Sequence, residues 1–262
     1  MEISLDGRTA LITGGSEGLG KGMAIRFAQS GADIAIIARR PDVLTTAKAE
    51  VEAAGKGKVI AITCDLLSSE ETAKAFSDVE EAFGKIDILV NNAGTSRAKP
   101  FETVTDNDWD EDIQLKLMAA VRLCRSALPG MKQRKWGRII NVLNIGAKAP
   151  TASGAPTVVS RAAGLALTKV LASEGAPHNV LVNALMVGLI KSAQWERAFE
   201  KEKDALDYEV FVQRIANKRN IPLGRIGETD EFANIACFLA SDQAGYITGT
   251  SINVDGGASP VI

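Results

Sequence analysis

Residues 9–22 read TALITGGSEGLGKG. A short apolar and β-branched run enters a turn carrying Gly14, Gly18 and Gly20, and a helix-forming stretch follows at once. Glycines there let backbone approach backbone and leave N–H groups and a helix dipole open to a pyrophosphate. A strand, a glycine-rich turn and a helix in that order constrain the remaining chain to a fold that can cover both faces of a parallel sheet.

The alternation continues to the end of the 262 residues. Candidate strands are Thr9–Thr13, Asp33–Ala38, Val59–Thr63, Ile86–Val90, Arg138–Val142, Val180–Leu185 and Ser251–Val254. Between them run helix-like segments at Gly18–Ser30, Val43–Ala54, Ser69–Phe83, Asn107–Lys132, Val158–Glu174 and Glu228–Ser241. This predicts an α/β, Rossmann-like, doubly wound parallel sheet of about seven strands with helices on both faces. No Pro/Ser-rich linker or internal repeat divides the chain, so 1–262 reads as a single dinucleotide-binding domain. The segment at about 193–222 breaks the rhythm: it is charged and carries Trp195, Phe199, Tyr208 and Phe211. It reads as a substrate-side lid or, equally, as a surface helix.

Several function classes drop out. The net charge of −2, with both signs interspersed, gives no footprint for nucleic acid. No apolar run approaches the ~20 residues of a membrane span, and residues 1–15 lack the pattern of a signal peptide. Cys64, Cys124 and Cys237 stand far apart in apolar runs, without metal or disulfide spacing. They read as buried thiols, in keeping with a cytoplasmic protein. The single histidine, His178, lies in the polar turn APHN, which argues against a His-based triad or a zinc site, and no metal is expected. Residues 15–21 nearly spell a P-loop, but Gly22 stands where Ser or Thr must ligate Mg²⁺, so a nucleotide triphosphatase is excluded.

Five motifs give the chain a resemblance over nearly its whole length. TGGSEGLG (13–20) resembles the TGxxxGxG turn of the short-chain dehydrogenase/reductase family, and NNAG (91–94) that family's NNAG. CDL (64–66) looks like its adenine-contacting Asp, and YITGTSINVDGG (246–257) like its C-terminal strand. NALMVG (183–188) is similar to its NxxxPG turn, with Val187 in place of proline. The resemblance implies a nicotinamide dinucleotide held by Gly14, Ser16, Glu17, Gly18, Leu19 and Gly20. Asp65 and Leu66 would lie near adenine. Asn91, Ala93, Gly94, Arg161, Gly188, Ile190 and Ser192 would surround the nicotinamide half. It further implies a small-molecule substrate and a homodimer or homotetramer.

Charge distinguishes the dinucleotides. A carboxylate ending the second strand would favour NAD, whereas this strand ends in Arg39 and Arg40. A guanidinium pairs with phosphate through charge-assisted bonds, so NADP(H) is expected over NAD(H). Glu17 opposes that expectation, because related NADP-binding turns often carry a basic residue there.

The family's chemistry rests on a Tyr general acid, a Lys four residues later, a Ser after the fifth strand and an Asn in the preceding long helix. Carried over by position, these fall on Thr157, Arg161, Asn144 and Lys116. The 13-residue step from Asn144 to Thr157 and the helix sequence AAGLALTKVLA fix the alignment, and Lys116 lies seven residues after Trp109. All four positions are substituted. Arg161 retains a cation, and Asn144 can still polarise a carbonyl. An aliphatic hydroxyl at Thr157 is far less acidic than a phenol with pKa ~10, so the proton transfer is lost or rerouted. Lys148, in the loop expected to line the substrate, and Lys116, expected near Arg161, are the candidate acids; both also read as ordinary structural lysines. Three functions follow: an NADP(H)-dependent reductase of a small carbonyl or enone, a non-redox lyase or dehydratase, or a cofactor-binding regulator without turnover.

Overall fold

The computed structural model describes residues 3–191, 199–200 and 207–262. Its strands are β1 (Thr9–Thr13), β2 (Asp33–Ala38), β3 (Val59–Thr63), β4 (Ile88–Asn91), β5 (Gly137–Asn144), β6 (Val180–Val187) and β7 (Ser251–Val254). They pair in parallel as β3-β2-β1-β4-β5-β6-β7. The helices are α1 (Gly18–Gln29), α2 (Pro41–Ala54), α3 (Ser69–Phe83), α4 (Asp106–Ile113), α5 (Ala119–Arg134), α6 (Thr157–Gly175), α7 (Tyr208–Lys218) and α8 (Thr229–Ala240).

Strand side chains alternate between two cores. Ala10 and Ile12 join Met23, Phe27, Leu44 and Phe232 on the face covered by α1, α2 and α8. Leu11 joins Phe76, Val79, Leu123 and Leu171 on the face covered by α3, α5 and α6. The expected two-sided α/β sheet is what these residues build. The described part of the 193–222 segment holds α7, whose Phe211, Val212 and Ala216 form a smaller cluster with Ile221 and Ile226. Trp195 lies outside the described residues.

Two boundaries differ from the sequence reading in ways that matter for the site. β5 runs on to Asn144, which pairs with Val187, so Asn144 is the last residue of a strand and not a loop residue. The single long helix expected at 107–132 is interrupted by a π-helical turn at Gln114–Met118, which carries Lys116. Such wider turns recur at functional sites.

Strand order reverses between β1 and β4, the crevice where doubly wound sheets bind ligands. Thr13 locks the two loops there. Its Oγ1 accepts from the N–H groups of Asn92 at 2.9 Å and Ala93 at 3.0 Å, while Asn92 Nδ2 donates to the Thr13 carbonyl at 2.9 Å. Gly20 enables that contact: a Cβ on it would lie 2.1 Å from the Gly14 carbonyl oxygen and 2.6 Å from Asn92 Nδ2. Backbone cannot yield as a flexible side chain would. Gly20→Ala is therefore expected to destabilise the ligand-free protein by about 1–3 kcal/mol, read as a lower Tm by calorimetry.

Candidate active site

At the switch point the N-terminus of α1 carries no side-chain cap. Glu17 occupies the capping position; its carbonyl accepts from the Lys21 N–H at 3.3 Å, but its side chain does not cap the helix, and the carboxylate pairs with Arg40. The N–H groups of Gly18, Leu19 and Gly20 have no intrahelical acceptor, since a helix begins its ladder only with the fifth residue. Ser16 is nearly buried beside them. Arg39 is exposed and makes no ion pair among the described residues. Asp65 Oδ1 accepts from the Leu67 N–H at 3.1 Å, and Leu66 is buried.

On the far side of the crevice, a Cβ on Gly188 would lie 2.5 Å from Asp255 Cα, so the chain can pass there only as glycine. Ile190 follows, bridged to Gly227 through Lys191 N–H and Leu189 C=O. This leaves the Ile190 N–H and C=O without a hydrogen bond among the described residues. Ser192 lies outside the described residues. An uncapped helix N-terminus, a glycine cradle that a Cβ would fill and an unengaged backbone pair together fit a dinucleotide laid across the switch point.

Between these ends the structure assembles three of the four carried-over positions around a buried ion pair. Thr157 opens α6 and is buried. Its Oγ1 accepts from Lys116 Nζ at 3.0 Å and from the Arg97 N–H at 2.9 Å. Lys116 also pairs with Asp112, one helical turn earlier. Both side chains are essentially inaccessible, 1% exposed for Lys116 and 0% for Asp112. The second carboxylate oxygen of Asp112 accepts from Ser160 Oγ at 2.6 Å. Burial pushes the Lys116 ammonium down to about 8; Asp112 opposes that shift, and the Arg161 and Arg97 cations add to it.

Arg161 lies between Gly94 and β5. Its Nη1 donates to the Val142 carbonyl, and a Cβ on Gly94 would lie 2.5 Å from its Nη2 and 3.5 Å from Lys116 Cγ. Gly94 is thus the residue that lets Lys116 and Arg161 approach the same turn. Burial lowers the Arg161 guanidinium to about 10, which leaves it charged at neutral pH. Asn144 Oδ1 is buried without a partner, and its side chain makes no hydrogen bond among the described residues, so its amide is uncommitted. Asn91 donates to Asn141 Oδ1 at 2.8 Å while its own Oδ1 stays buried and unpartnered. It lines a cavity of about 10 Å³ with Lys116 and Asn141, at the lower limit for one water molecule.

Lys148 is the exception. Its Nζ donates to the Ser251 carbonyl and to Asn253 Oδ1, both at 2.9 Å. The loop after β5 reaches over β6, and the ammonium clamps it to β7 instead of joining Thr157. Sequence reasoning passed over Asp112, Ser160, Thr13 and Asn92. The Asp112/Lys116 spacing of four was visible, but on an exposed helix it signals only an ordinary surface pair. His178 is exposed in the turn Ala176–His178, and the three cysteines are buried and unpaired. Among the described residues no His, Cys, Asp and Glu group could hold a metal, and no helix is long and apolar enough to cross a membrane.

Comparison with known proteins agrees with this geometry. The family model described as Enoyl-(Acyl carrier protein) reductase matches residues 14–259. The chain is 34% identical to the 3-oxoacyl-[acyl-carrier-protein] reductase FabG of Aquifex aeolicus, over 98% of this chain and 99% of that protein. L-sorbose reductase from Gluconobacter frateurii, solved with NADPH and L-sorbose, superposes with a TM-score of 0.94 at 34% identity over the whole of both chains. An NADPH-bound short chain oxidoreductase from Pseudomonas aeruginosa, described as containing an atypical catalytic center, superposes with a TM-score of 0.92. It is 32% identical, covering 99% of this chain and 100% of that one. The chain belongs to the short-chain dehydrogenase/reductase family and is an oxidoreductase of that type.

Proposed function

We propose that this protein is an NADP(H)-dependent reductase of a small carbonyl or enone, in which Lys116 replaces the family's tyrosine as the source of the proton. The observation that carries this reading is the 3.0 Å contact from Lys116 Nζ to Thr157 Oγ1. Two donors already fill the lone pairs of that hydroxyl, so its own hydrogen is left to reach a substrate oxygen. A bound nicotinamide would supply hydride. Thr157 passes its proton to the substrate oxygen and takes one from Lys116, and Lys116, sealed from bulk solvent, regains its proton between turnovers by way of water in the small cavity it lines with Asn91 and Asn141. Asn144, with its amide uncommitted, donates to the same oxygen and polarises it. Arg161, fixed against Gly94, holds the ribose side and keeps its charge throughout.

Arg39, just past the end of β2, makes no ion pair among the described residues, and it supports NADP(H) because its guanidinium is open to a 2′-phosphate while the nearby Glu17 carboxylate is occupied by Arg40. Arg40, engaged by Glu17, contributes less. Relatives named as reducing 3-oxoacyl, acetoacetyl and sorbose substrates favour a carbonyl substrate class. The neighbours with NADPH in their descriptions favour the phosphorylated cofactor.

Arg39→Ala should weaken NADPH by about 10- to 100-fold, the loss of a charge-assisted contact, and leave NADH unchanged. Fluorescence titration of both cofactors checks this, and an equal loss for both would refute the assignment. Lys116→Met should lower the reduction rate at least ~100-fold with NADPH affinity retained. In the wild type, reduction should fall as pH rises through about 8, where Lys116 loses the proton it donates. NADPH binding without turnover of any ketone, quinone or enone would favour a regulator instead.

A further inference from the structure

Asp112 has no part in the roles carried over from the family, yet it is the most buried carboxylate at the site, 0% exposed. One oxygen takes the Lys116 ammonium and the other takes the Ser160 hydroxyl at 2.6 Å. Resting on the reading of Lys116 as the acid, we propose that Asp112 is a positioning residue that keeps Lys116 protonated and aimed at Thr157 Oγ1.

The geometry explains why such a residue is needed. Lys116 meets Asp112 from α4 and Thr157 from α6, Ser160 of α6 reaches the pair through Asp112, and the charges of Arg161 on α6 and Arg97 in the loop after β4 act on the ammonium. The cations facing it are Arg161 and Arg97, and the carboxylate bonded to it is Asp112. Arg97 is itself paired with Glu111 at the edge of this group. A lone ammonium in that enclosure would discharge, since desolvation and neighbouring cations both favour the neutral amine. Asp112 offsets both. Its place one turn before Lys116 also sets direction: with one N–H held by Asp112, the amine presents another to Thr157. Ser160 fixes the carboxylate from α6, so the pair is anchored from both helices and cannot swing with the Lys116 side chain alone.

The test is lysine NMR on the ligand-free protein, with the Lys116 signal assigned as the one missing from Lys116→Met. In the wild type that signal should titrate near 8. In Asp112→Asn, which keeps the shape and removes the charge, the midpoint should drop by about one pH unit or more. An unchanged midpoint overturns the proposal. Turnover provides an independent arm: the Asp112→Asn enzyme should be impaired about threefold or more at pH 7.5 and recover at pH 6, a rescue that a merely structural defect would not show. If the midpoint drops but the pH-rate limb stays, Asp112 still positions Lys116, and the reading of Lys116 as the acid is what fails. Should Asp112→Asn not fold, Asp112→Asn/Lys116→Met decides. A folded double variant shows that the carboxylate serves the ammonium, whereas failure of both assigns Asp112 a role apart from Lys116 and overturns the proposal.

Discussion

An ammonium buried between two helices is the constraint around which this site is arranged. Removing a charge from water costs several kcal/mol even after relaxation, and only close partners offset it. Lys116 has such partners in Asp112 and Thr157, and Asp112 has a second in Ser160. Each of these residues is held by an element the fold puts there for other reasons: α4 before the π turn, the turn itself, and the first turn of α6. The enclosure that makes Lys116 expensive to charge also brings its proton affinity close to working pH, the range in which a general acid is effective.

The cofactor side depends on a different constraint, close approaches that only glycine permits. Gly20 against the Gly14 carbonyl, Gly94 against Arg161 and Gly188 against Asp255 each mark a place where a methyl group would collide. These contacts bring the ends of β1, β4, β5 and β6 to one crevice, and Thr13 and Asn92 tie the first two together. The scaffold thus resembles its relatives closely, while the alignment proposed from the sequence puts Lys116, Asn144, Thr157 and Arg161 at the positions that usually perform the chemistry. Fold and reaction are separable in this way because the sheet fixes positions and the side chains at those positions fix the chemistry.

Much of this was legible in the sequence. Strand and helix periods gave the parallel sheet, and β1, β2, β3 and β7 fall where the β-branched runs place them. The expectation that Lys116 lies near Arg161 matches the structure, where both approach Gly94. What escaped is three-dimensional. Asp112 and Lys116 look like a solvated pair until α6 is packed over them. Lys148 sits in a loop that sequence order places near the substrate, but the loop spans β6 and delivers the ammonium to β7. The π turn has no composition signal, since QLKLM would continue an α-helix equally well.

The central claim is that the Thr157 hydroxyl is the last relay to substrate. Thr157→Val keeps the side chain's branching and removes that hydroxyl, so the rate of NADPH oxidation in a single turnover with a ketone substrate tests it most directly. A fall of at least ~100-fold with unchanged NADPH affinity is the predicted result. A rate within about threefold of the wild type, well under the contribution of a general acid, would contradict the account and remove Thr157 and Lys116 from the proton path together.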